Sequence, residues 1–149
     1  MTRYAVYPGS FNPWHEGHED ILNKALKVFD RVIIARGLNP EKGHPSPMKF
    51  DVMGKFYGFV ELTYYDCLLK DFIKRLERRL FARTDSSNAH VLCAVVRGLR
   101  NGHDLLNEMQ LQYWNEDLGV NIPTVYFACD RNLVHISSSA IRQVEKFDA

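Results

Sequence analysis

The amino-acid sequence predicts an α/β protein in which one domain is built on a doubly wound, parallel sheet of five strands. Short apolar runs rich in β-branched and aromatic residues alternate along the chain with longer segments of helical periodicity. The first strand, loop, helix and strand follow one another within residues 3–37, which is the length of a βαβ unit. No repeat, low-complexity tract or change of composition divides the 149 residues, so residues 1–149 are expected to form a single domain.

The first half of the chain is expected to supply three of the strands. "RYAVY" at 3–7 is aromatic and β-branched, and a Pro-Gly pair ends it. Residues 17–29 place apolar side chains at helical spacing. "RVIIARG" at 31–37 is a near-continuous apolar run, which is typical of a strand buried on both faces. A proline-rich loop at 38–50, a helix at 50–59 weakened by two glycines and a strand at 60–65 follow.

The second half of the chain continues the alternation and completes the sheet. A helix at 67–82 has one apolar and one basic face, and "HVLCAVVRG" at 90–98 reads as the central strand. A helix at 103–118 and a strand at 123–129 come next, and a helix at 136–147 begins with hydroxyls suited to an N-cap. Because crossovers between parallel strands are right-handed, this order predicts a Rossmann-like sheet.

Composition and charge exclude several classes of protein. The content of 46% hydrophobic and 25% charged residues is that of an ordinary globular domain, and the net charge of +1 gives no global attraction to nucleic acid or membrane. The cysteines are odd in number and widely spaced, at Cys67, Cys93 and Cys129, which argues against a disulfide framework or a zinc site. Two of them, Cys93 and Cys129, lie in apolar runs and are expected to be buried. No signal pattern or bilayer-length apolar run is present, so we expect a cytoplasmic protein.

The stretch "YPGSFNPWHEGH" lies where the first strand passes into the first helix, and it has the residues of an anion site. Gly9 and Gly17 permit close approach of backbone to a ligand, Ser10 offers a hydroxyl, and His15 and His18 can donate to phosphate oxygens. No lysine follows in P-loop spacing, and no further ligands stand at metal spacing for zinc. One such histidine alone would more often be a surface residue or a helix cap.

Three motifs in this order resemble a known family. "GSFNP" followed by "HEGH" resembles the (H/T)xGH signature of the nucleotidylyltransferase superfamily, and "ISSSAIR" at 136–142 resembles its second signature. "VVRGLRNGHDLLNEMQLQYWN" at 95–115 is similar to a segment of bacterial phosphopantetheine adenylyltransferases, and "NPEKG" fits their N-P-x-K loop. The resemblance spans residues 4–144. It implies transfer of the adenylyl group of ATP to 4'-phosphopantetheine, giving dephospho-coenzyme A and pyrophosphate.

The resemblance also implies roles for individual residues. The reaction demands positioning and charge neutralisation, because the attacking phosphate is already anionic. The residues expected to act in catalysis are Ser10, His18, Lys42 and Arg100. The residues expected to contact ATP are Ser10, Phe11, His15, His18, Gly98, Leu99, Arg100, Glu108, Ile136, Ser137, Ser138 and Ser139. The residues expected to contact the acceptor are Ser10, Lys42, Leu69, Arg97 and Asn115, with Leu99 and the Tyr64–Tyr65 region shaping its cleft.

The expected ligands and assembly follow from the same family. Mg²⁺ is implied as a companion of the ATP phosphates, held by phosphates and water without a carboxylate cage. Coenzyme A is a further candidate ligand, as an inhibitor, and a homo-oligomer, a hexamer made of two trimers, is expected. The sequence departs from the family pattern at Asn107, Glu116 and Leu133, which bear on nucleotide and acceptor contacts and on regulation.

Three other interpretations compete with this one. A different adenylyl- or cytidylyltransferase, acting for example on nicotinamide mononucleotide, is favoured by His15, since HxGH is common in such enzymes, but the 95–115 segment argues against it. A catalytically silent relative would have lost its charged site residues, whereas His18, Lys42, Arg97 and Arg100 are present. A nucleic-acid binder could use the basic face of the 67–82 helix, but its glutamate–arginine spacings favour a solvated face.

Overall fold

The computed structural model describes residues 1–39 and 58–148, and within them the predicted alternation of strands and helices is present. The strands are β1 (Thr2–Gly9), β2 (Arg31–Gly37), β3 (Val60–Tyr65), β4 (His90–Leu99) and β5 (Thr124–Ala128). The helices are α1 (Glu16–Leu26), α2 (Leu69–Arg83), α3 (Gly102–Asp117) and α4 (Ser138–Asp148), with a 3₁₀ turn at Arg131–Leu133. The predicted helix at 50–59 lies outside the described residues, apart from Gly58 and Phe59, which form a turn.

The five strands form one parallel sheet in the order β3-β2-β1-β4-β5, which confirms the predicted fold class. The chain winds outward from β1 through β2 and β3, then crosses to β4 on the other side of β1. The direction of winding therefore reverses between β1 and β4. In open parallel sheets a crevice forms at this reversal, beyond the carboxyl ends of the strands, and ligands bind there.

Helices cover both faces of the sheet, so β1 and β2 are buried on both sides. Residues 4–7 of β1 and 32–36 of β2 are buried without interruption. Helix α1 packs on one face through Ile21, Leu22 and Ala25. Helix α2 packs on the other through Phe72, Ile73, Leu76 and Leu80. This double cover explains why the strands read as continuous apolar runs.

Some boundaries and burial states differ from the predictions. Helix α1 ends at Leu26 and not at 29, because the chain turns there; Phe29 is buried after the turn, while Val28 is 46% exposed. Helix α2 begins two residues later than predicted, which leaves Leu68 53% exposed. The prediction that Cys93 and Cys129 are buried is wrong, since both are half-buried free thiols. They pack at the margin of the core, where the sheet face is only partly covered.

The described residues show neither a membrane-spanning helix nor a cluster of metal ligands. None of the described helices combines the length and the apolar composition needed to cross a membrane. Within residues 1–39 and 58–148, no three histidine, cysteine, aspartate or glutamate side chains are grouped closely enough to bind a metal ion.

Candidate active site

Two cavities open at the carboxyl ends of β1 and β4, at the reversal of the winding. The larger has a volume of about 780 Å³ and the smaller about 310 Å³. The two cavities share five lining residues, which form the boundary between them: Pro8, Gly9, Ser10, Arg97 and Glu108. A ligand in one cavity therefore lies next to a ligand in the other, as a two-substrate transfer requires.

The loop after β1 forms one wall of the smaller cavity and has an unusual backbone. Phe11 has φ of +47°, a left-handed conformation that a non-glycine residue adopts only under constraint. Its buried ring lies against Gly9, where an added Cβ would come within 2.9 Å of the ring atoms. The ring also meets His18 edge to face, with centroids 4.9 Å apart. A glycine before the loop is thus required by close packing.

His15 and His18 form the N-terminal cap of α1. The Nδ1 atom of His15 accepts a hydrogen bond from the backbone N–H of Gly17 at 3.0 Å. The Nδ1 atom of His18 accepts one from the backbone N–H of His15 at 3.2 Å. The two rings stack with centroids 3.7 Å apart. The pair satisfies backbone donors that a helix start leaves unpaired, and this fixes both rings.

These caps determine where the imidazole protons lie. Because each Nδ1 accepts a hydrogen bond, the proton of each neutral ring resides on Nε2. Burial, together with the neighbouring His15, Arg97 and Arg100, lowers the pKa of His18 to about 3. Burial also lowers the pKa of His15, with Arg100 adding to the effect. Near neutral pH both side chains are therefore uncharged Nε2–H donors at the smaller cavity.

Arg97 is engaged on two sides at the boundary between the cavities. Its Nε and Nη2 donate to the two carboxylate oxygens of Glu108, each at 2.7 Å, and its Nη1 donates to the carbonyl of Pro8. Although burial opposes it, the carboxylate of Glu108 raises the pKa of Arg97 above its usual value. This fork joins β4 to α3 and places an arginine–carboxylate pair at the boundary of the two cavities.

Arg100 follows β4 and lines the smaller cavity. Its backbone N–H and its guanidinium both donate to Asp104, at distances of 3.0 to 3.3 Å. The side chain of Asn101 caps α3 by accepting from the N–H of Asp104 at 2.9 Å. The first turn of α3 therefore holds Arg100 in the lining of this cavity, with its side chain 41% exposed.

The serines at the start of α4 face the first loop across the smaller cavity. Ser138 donates its hydroxyl proton to the carbonyl of Pro13 at 2.8 Å, and Arg142 donates to the carbonyl of Asn12. Ser137 caps the helix by accepting from the N–H of Ala140 at 3.1 Å. The motif thus docks α4 against the loop and places a helix N-terminus, with its partial positive charge, at the cavity.

The structure brings most of the predicted residues together, and the two cavities separate them into groups. The smaller cavity is lined by Ser10, Phe11, His15, His18, Arg97, Gly98, Leu99, Arg100, Glu108, Ile136, Ser137, Ser138 and Ser139. The larger cavity is lined by Ser10, Tyr65, Leu69, Arg97, Glu108 and Asn115. Leu99, expected in the acceptor cleft as well, lines only the smaller cavity. Tyr64 is not among the lining residues of either cavity, and Lys42 lies outside the described residues.

The larger cavity combines apolar walls with a few amide and acidic groups. Its apolar wall includes Leu69, Leu111, Val120 and Ile122. Gln112 donates to Glu116 at 2.9 Å and accepts from the hydroxyl of Tyr126 at 2.6 Å, so its amide orientation is fixed. Such a cavity suits a long ligand with apolar and amide segments that carries a phosphate at the Arg97 end.

Sequence reasoning missed Arg36 and Trp14, two residues behind the smaller cavity. Arg36 lies within the apolar run of β2, is 1% exposed, and donates to carbonyls of the first loop. Trp14 packs within 5.3 Å of the His18 ring and 5.1 Å of the Phe11 ring, measured between centroids. A charged residue inside a buried strand was the available signal for Arg36.

Comparison with known proteins identifies the family of this chain. The cytidylyltransferase-like family profile matches residues 6–144. A phosphopantetheine adenylyltransferase of Natranaerobius thermophilus is 32% identical over 96% of this chain and 83% of its own. The enzyme of that name from Cytophaga hutchinsonii is 33% identical over 99% of this chain and 93% of its own.

Solved structures share the fold at lower sequence identity. A Vibrio parahaemolyticus protein provisionally described as a nicotinate-nucleotide adenylyltransferase matches with a TM-score of 0.54 and 18% identity, over 96% of this chain and 86% of that one. The bifunctional NMN adenylyltransferase/ADP ribose pyrophosphatase of Francisella tularensis matches with a TM-score of 0.52 and 16% identity, over 96% of this chain and 41% of that one. The match over residues 6–144 shows that this chain belongs to the cytidylyltransferase-like family, and its full-length relatives above 30% identity are phosphopantetheine adenylyltransferases.

Proposed function

We propose that this chain transfers the adenylyl group of ATP to 4'-phosphopantetheine, forming dephospho-coenzyme A and pyrophosphate. The observation that carries the proposal is the pair of adjoining cavities with Arg97 at their boundary. The smaller cavity offers neutral donors and a helix N-terminus to a triphosphate. The larger one offers apolar and amide surface to a pantetheine arm. The names of full-length relatives support the same reaction.

In the proposed reaction an oxygen of the acceptor phosphate attacks the α-phosphorus of ATP. The bond from that phosphorus to the bridging oxygen breaks, and pyrophosphate leaves. The attacking group is an anion at neutral pH, so no general base is needed. The site instead has to align the two phosphates and stabilise the charge that develops on the oxygens of the α-phosphoryl group.

His18 supplies a preorganised donor for this charge. Its Nδ1 is directed at the backbone of His15, which leaves the Nε2–H as the atom available to a phosphoryl oxygen. Because the pKa of the ring is about 3 in the ligand-free protein, the site presents a neutral donor to the incoming phosphates. A fixed donor of this kind contributes about 3–4 kcal/mol to transition-state stabilisation in comparable sites.

Arg97 and Ser10 are proposed to bind the acceptor phosphate at the boundary of the cavities. A phosphate monoester would compete with Glu108 for the fork formed by Nε and Nη2 of Arg97. Glu108, once displaced, would face the smaller cavity and could accept hydrogen bonds from nucleotide hydroxyls. The acceptor and the nucleotide are therefore expected to bind with positive coupling.

The nucleotide phosphates are proposed to lie between Arg100 and the start of α4. Ser139 and the N-terminus of α4 lie beside the cavity, and the side chain of Arg100 lines it. Lys42, which the family resemblance places on a loop over the phosphates, lies outside the described residues and remains a predicted contributor.

Mg²⁺ is proposed to enter with ATP, because it neutralises phosphate charge as the pyrophosphate leaves. The described carboxylates nearest the phosphates, Asp104 and Glu108, are each paired with an arginine. They offer no ready carboxylate cage, and the ion would be held by nucleotide oxygens and water.

A homo-oligomer is proposed on the basis of α3, which buries no residue in the single chain. Its exposed apolar side chains include Leu106 at 57%, Tyr113 at 52% and Trp114 at 68%. Helices with such a face are usually covered by another surface, and a second copy of the chain would cover it. We further propose a hexamer of two trimers, a cytoplasmic location and inhibition by coenzyme A, with no nucleic-acid or membrane partner.

Product analysis tests the proposed reaction directly. The purified protein is incubated with ATP, Mg²⁺ and 4'-phosphopantetheine, and the products are separated by chromatography and then identified and quantified by mass spectrometry. We expect dephospho-coenzyme A and pyrophosphate in equal amounts. His18→Ala should reduce turnover by about 100- to 1,000-fold while the circular dichroism spectrum is unchanged. A folded wild-type protein that makes no dephospho-coenzyme A contradicts the proposal.

A further inference from the structure

Arg36 is a charged side chain in the interior of the sheet. It is 1% exposed, and it is the only charged or polar residue that is buried among the described residues. Its neighbours in β2, from Val32 to Ala35, are all apolar and fully buried. Burying a guanidinium there costs desolvation free energy, and burial therefore lowers the pKa of Arg36. The hydroxyl of Tyr64 acts in the opposite direction and raises that pKa. The hydrogen bonds of Arg36 offset this cost.

Two of these bonds connect β2 to the first loop of the smaller cavity. The Nε atom of Arg36 donates to the carbonyl of Ser10 at 2.9 Å, and its Nη2 donates to the carbonyl of Phe11 at 3.1 Å. The sheet register places Arg36 beside Gly9, the last residue of β1. The rigid planar fork of a guanidinium therefore fixes the orientation of two consecutive peptide groups at the point where β1 ends.

These two peptide groups control the rest of the cradle. Phe11 has a positive φ of 47°, a backbone state that persists only when its surroundings impose it. Its ring lies between Gly9 and the edge of His18. The ring of Trp14 and the stacked ring of His15 close the other sides of His18. Movement of the Phe11 backbone would open this aromatic enclosure on one side.

We propose that Arg36 is a positioning residue for adenylyl transfer, which holds the Ser10–Phe11 backbone so that the Ser10 hydroxyl and the His18 ring are preorganised. Arg36 does not line either cavity, so it acts through these residues and not by touching substrate. The proposal rests on the proposed function for its kinetic consequence. Its structural consequence, the enclosure of His18, is independent of the reaction.

Arg36→Met tests the proposal, because methionine fills similar volume without any donor. We expect kcat to fall roughly 100-fold, the loss that a displacement of about 1 Å produces in reacting groups. The KM for 4'-phosphopantetheine should rise only a few-fold, because the Ser10 hydroxyl shifts while the proposed contacts with Arg97 and the larger cavity are unchanged. Arg36→Lys, which can still donate to one carbonyl, should recover part of kcat.

The titration of His18 distinguishes a positioning role of Arg36 from a merely structural one, because a merely structural role would leave the pKa of His18 unchanged. In protein labelled with ¹⁵N-histidine, the wild-type His18 ring should stay neutral between about pH 5 and 7, in keeping with a pKa near 3. The charged and titratable groups facing it, His15, Arg97 and Arg100, are the same in the variant. In Arg36→Met, solvent access should move the transition upward, toward the ordinary value of 6.5.

Ile34→Val is the matched control, since Ile34 is fully buried on the same face of the same strand. It should lower the melting temperature and leave kcat and the His18 titration unchanged. The proposal is overturned if Arg36→Met keeps wild-type kcat, or if it leaves the His18 titration unchanged. If Arg36→Met does not fold, Arg36→Lys is used to test the proposal instead. A wild-type kcat and a wild-type His18 titration in Arg36→Lys would count against the proposal, and a kcat and a His18 pKa that both differ from the wild-type values would support it. If the chain proves to catalyse another reaction, the titration still tests the positioning role.

Discussion

Replacing Glu108 by glutamine should tighten the binding of 4'-phosphopantetheine to the nucleotide-free protein. Glu108 occupies the guanidinium fork of Arg97 through two bonds of 2.7 Å. Charge-assisted bonds contribute about 1.5–3 kcal/mol each, but the two side chains are 25% and 18% exposed and glutamine can keep one neutral bond. The competing interaction should therefore weaken by about 1–2 kcal/mol, which corresponds to a 5- to 30-fold lower dissociation constant.

Isothermal titration calorimetry without nucleotide measures this change. Asp117→Asn is the matched control, because it removes one negative charge from the same helix at an exposed position outside both cavities. The control should keep the wild-type dissociation constant. Glu108→Gln should also bind a non-hydrolysable ATP analogue more weakly and lose coupling between the two ligands. An unchanged or weaker affinity of Glu108→Gln for 4'-phosphopantetheine would refute the view that Glu108 and the acceptor phosphate compete for Arg97.

Three further predictions concern stability and the nucleotide site. Folding lowers the pKa of His18 to about 3, so below pH 6.5 the unfolded chain binds more protons at this residue than the folded chain does. The melting temperature should therefore fall as the pH is lowered from 6.5, and it should fall less steeply in His18→Gln. Gly98→Ala should lower the free energy of unfolding in urea by about 1–3 kcal/mol, because its Cβ would lie 2.7 Å from Ile21. Ser138→Ala removes the bond to Pro13 and should raise the KM for ATP several-fold in steady-state assays, with a change in melting temperature of only a few degrees.

The sequence predicted the sheet well because the double cover of helices leaves a clear pattern. The runs at 32–35 in β2 and 91–96 in β4 are apolar without interruption, a pattern that local composition alone makes visible, and β2 is buried on both faces. The candidate site could be predicted for a related reason. The ends of adjacent parallel strands lie side by side, so residues following β1 and β4 had to meet.

The details that depend on tertiary contacts could not be predicted from the sequence. Arg36 lies twenty-five residues from Phe11, and only the folded sheet brings its guanidinium to that carbonyl. The pairing of Arg97 with Glu108 likewise requires the particular angle between β4 and α3. The end of α1 at Leu26 was missed because the periodic apolar pattern continues through Phe29, which is buried after the chain has turned.

The acceptor preference of the chain tests the central claim most directly. Pyrophosphate release is measured with ATP and Mg²⁺, with 4'-phosphopantetheine and nicotinamide mononucleotide offered in parallel, and kcat/KM is compared. The account predicts release with 4'-phosphopantetheine and none above background with nicotinamide mononucleotide, because we propose that the apolar and amide surface of the larger cavity receives a pantetheine arm. Preference for nicotinamide mononucleotide, or no release with either acceptor, would contradict the account.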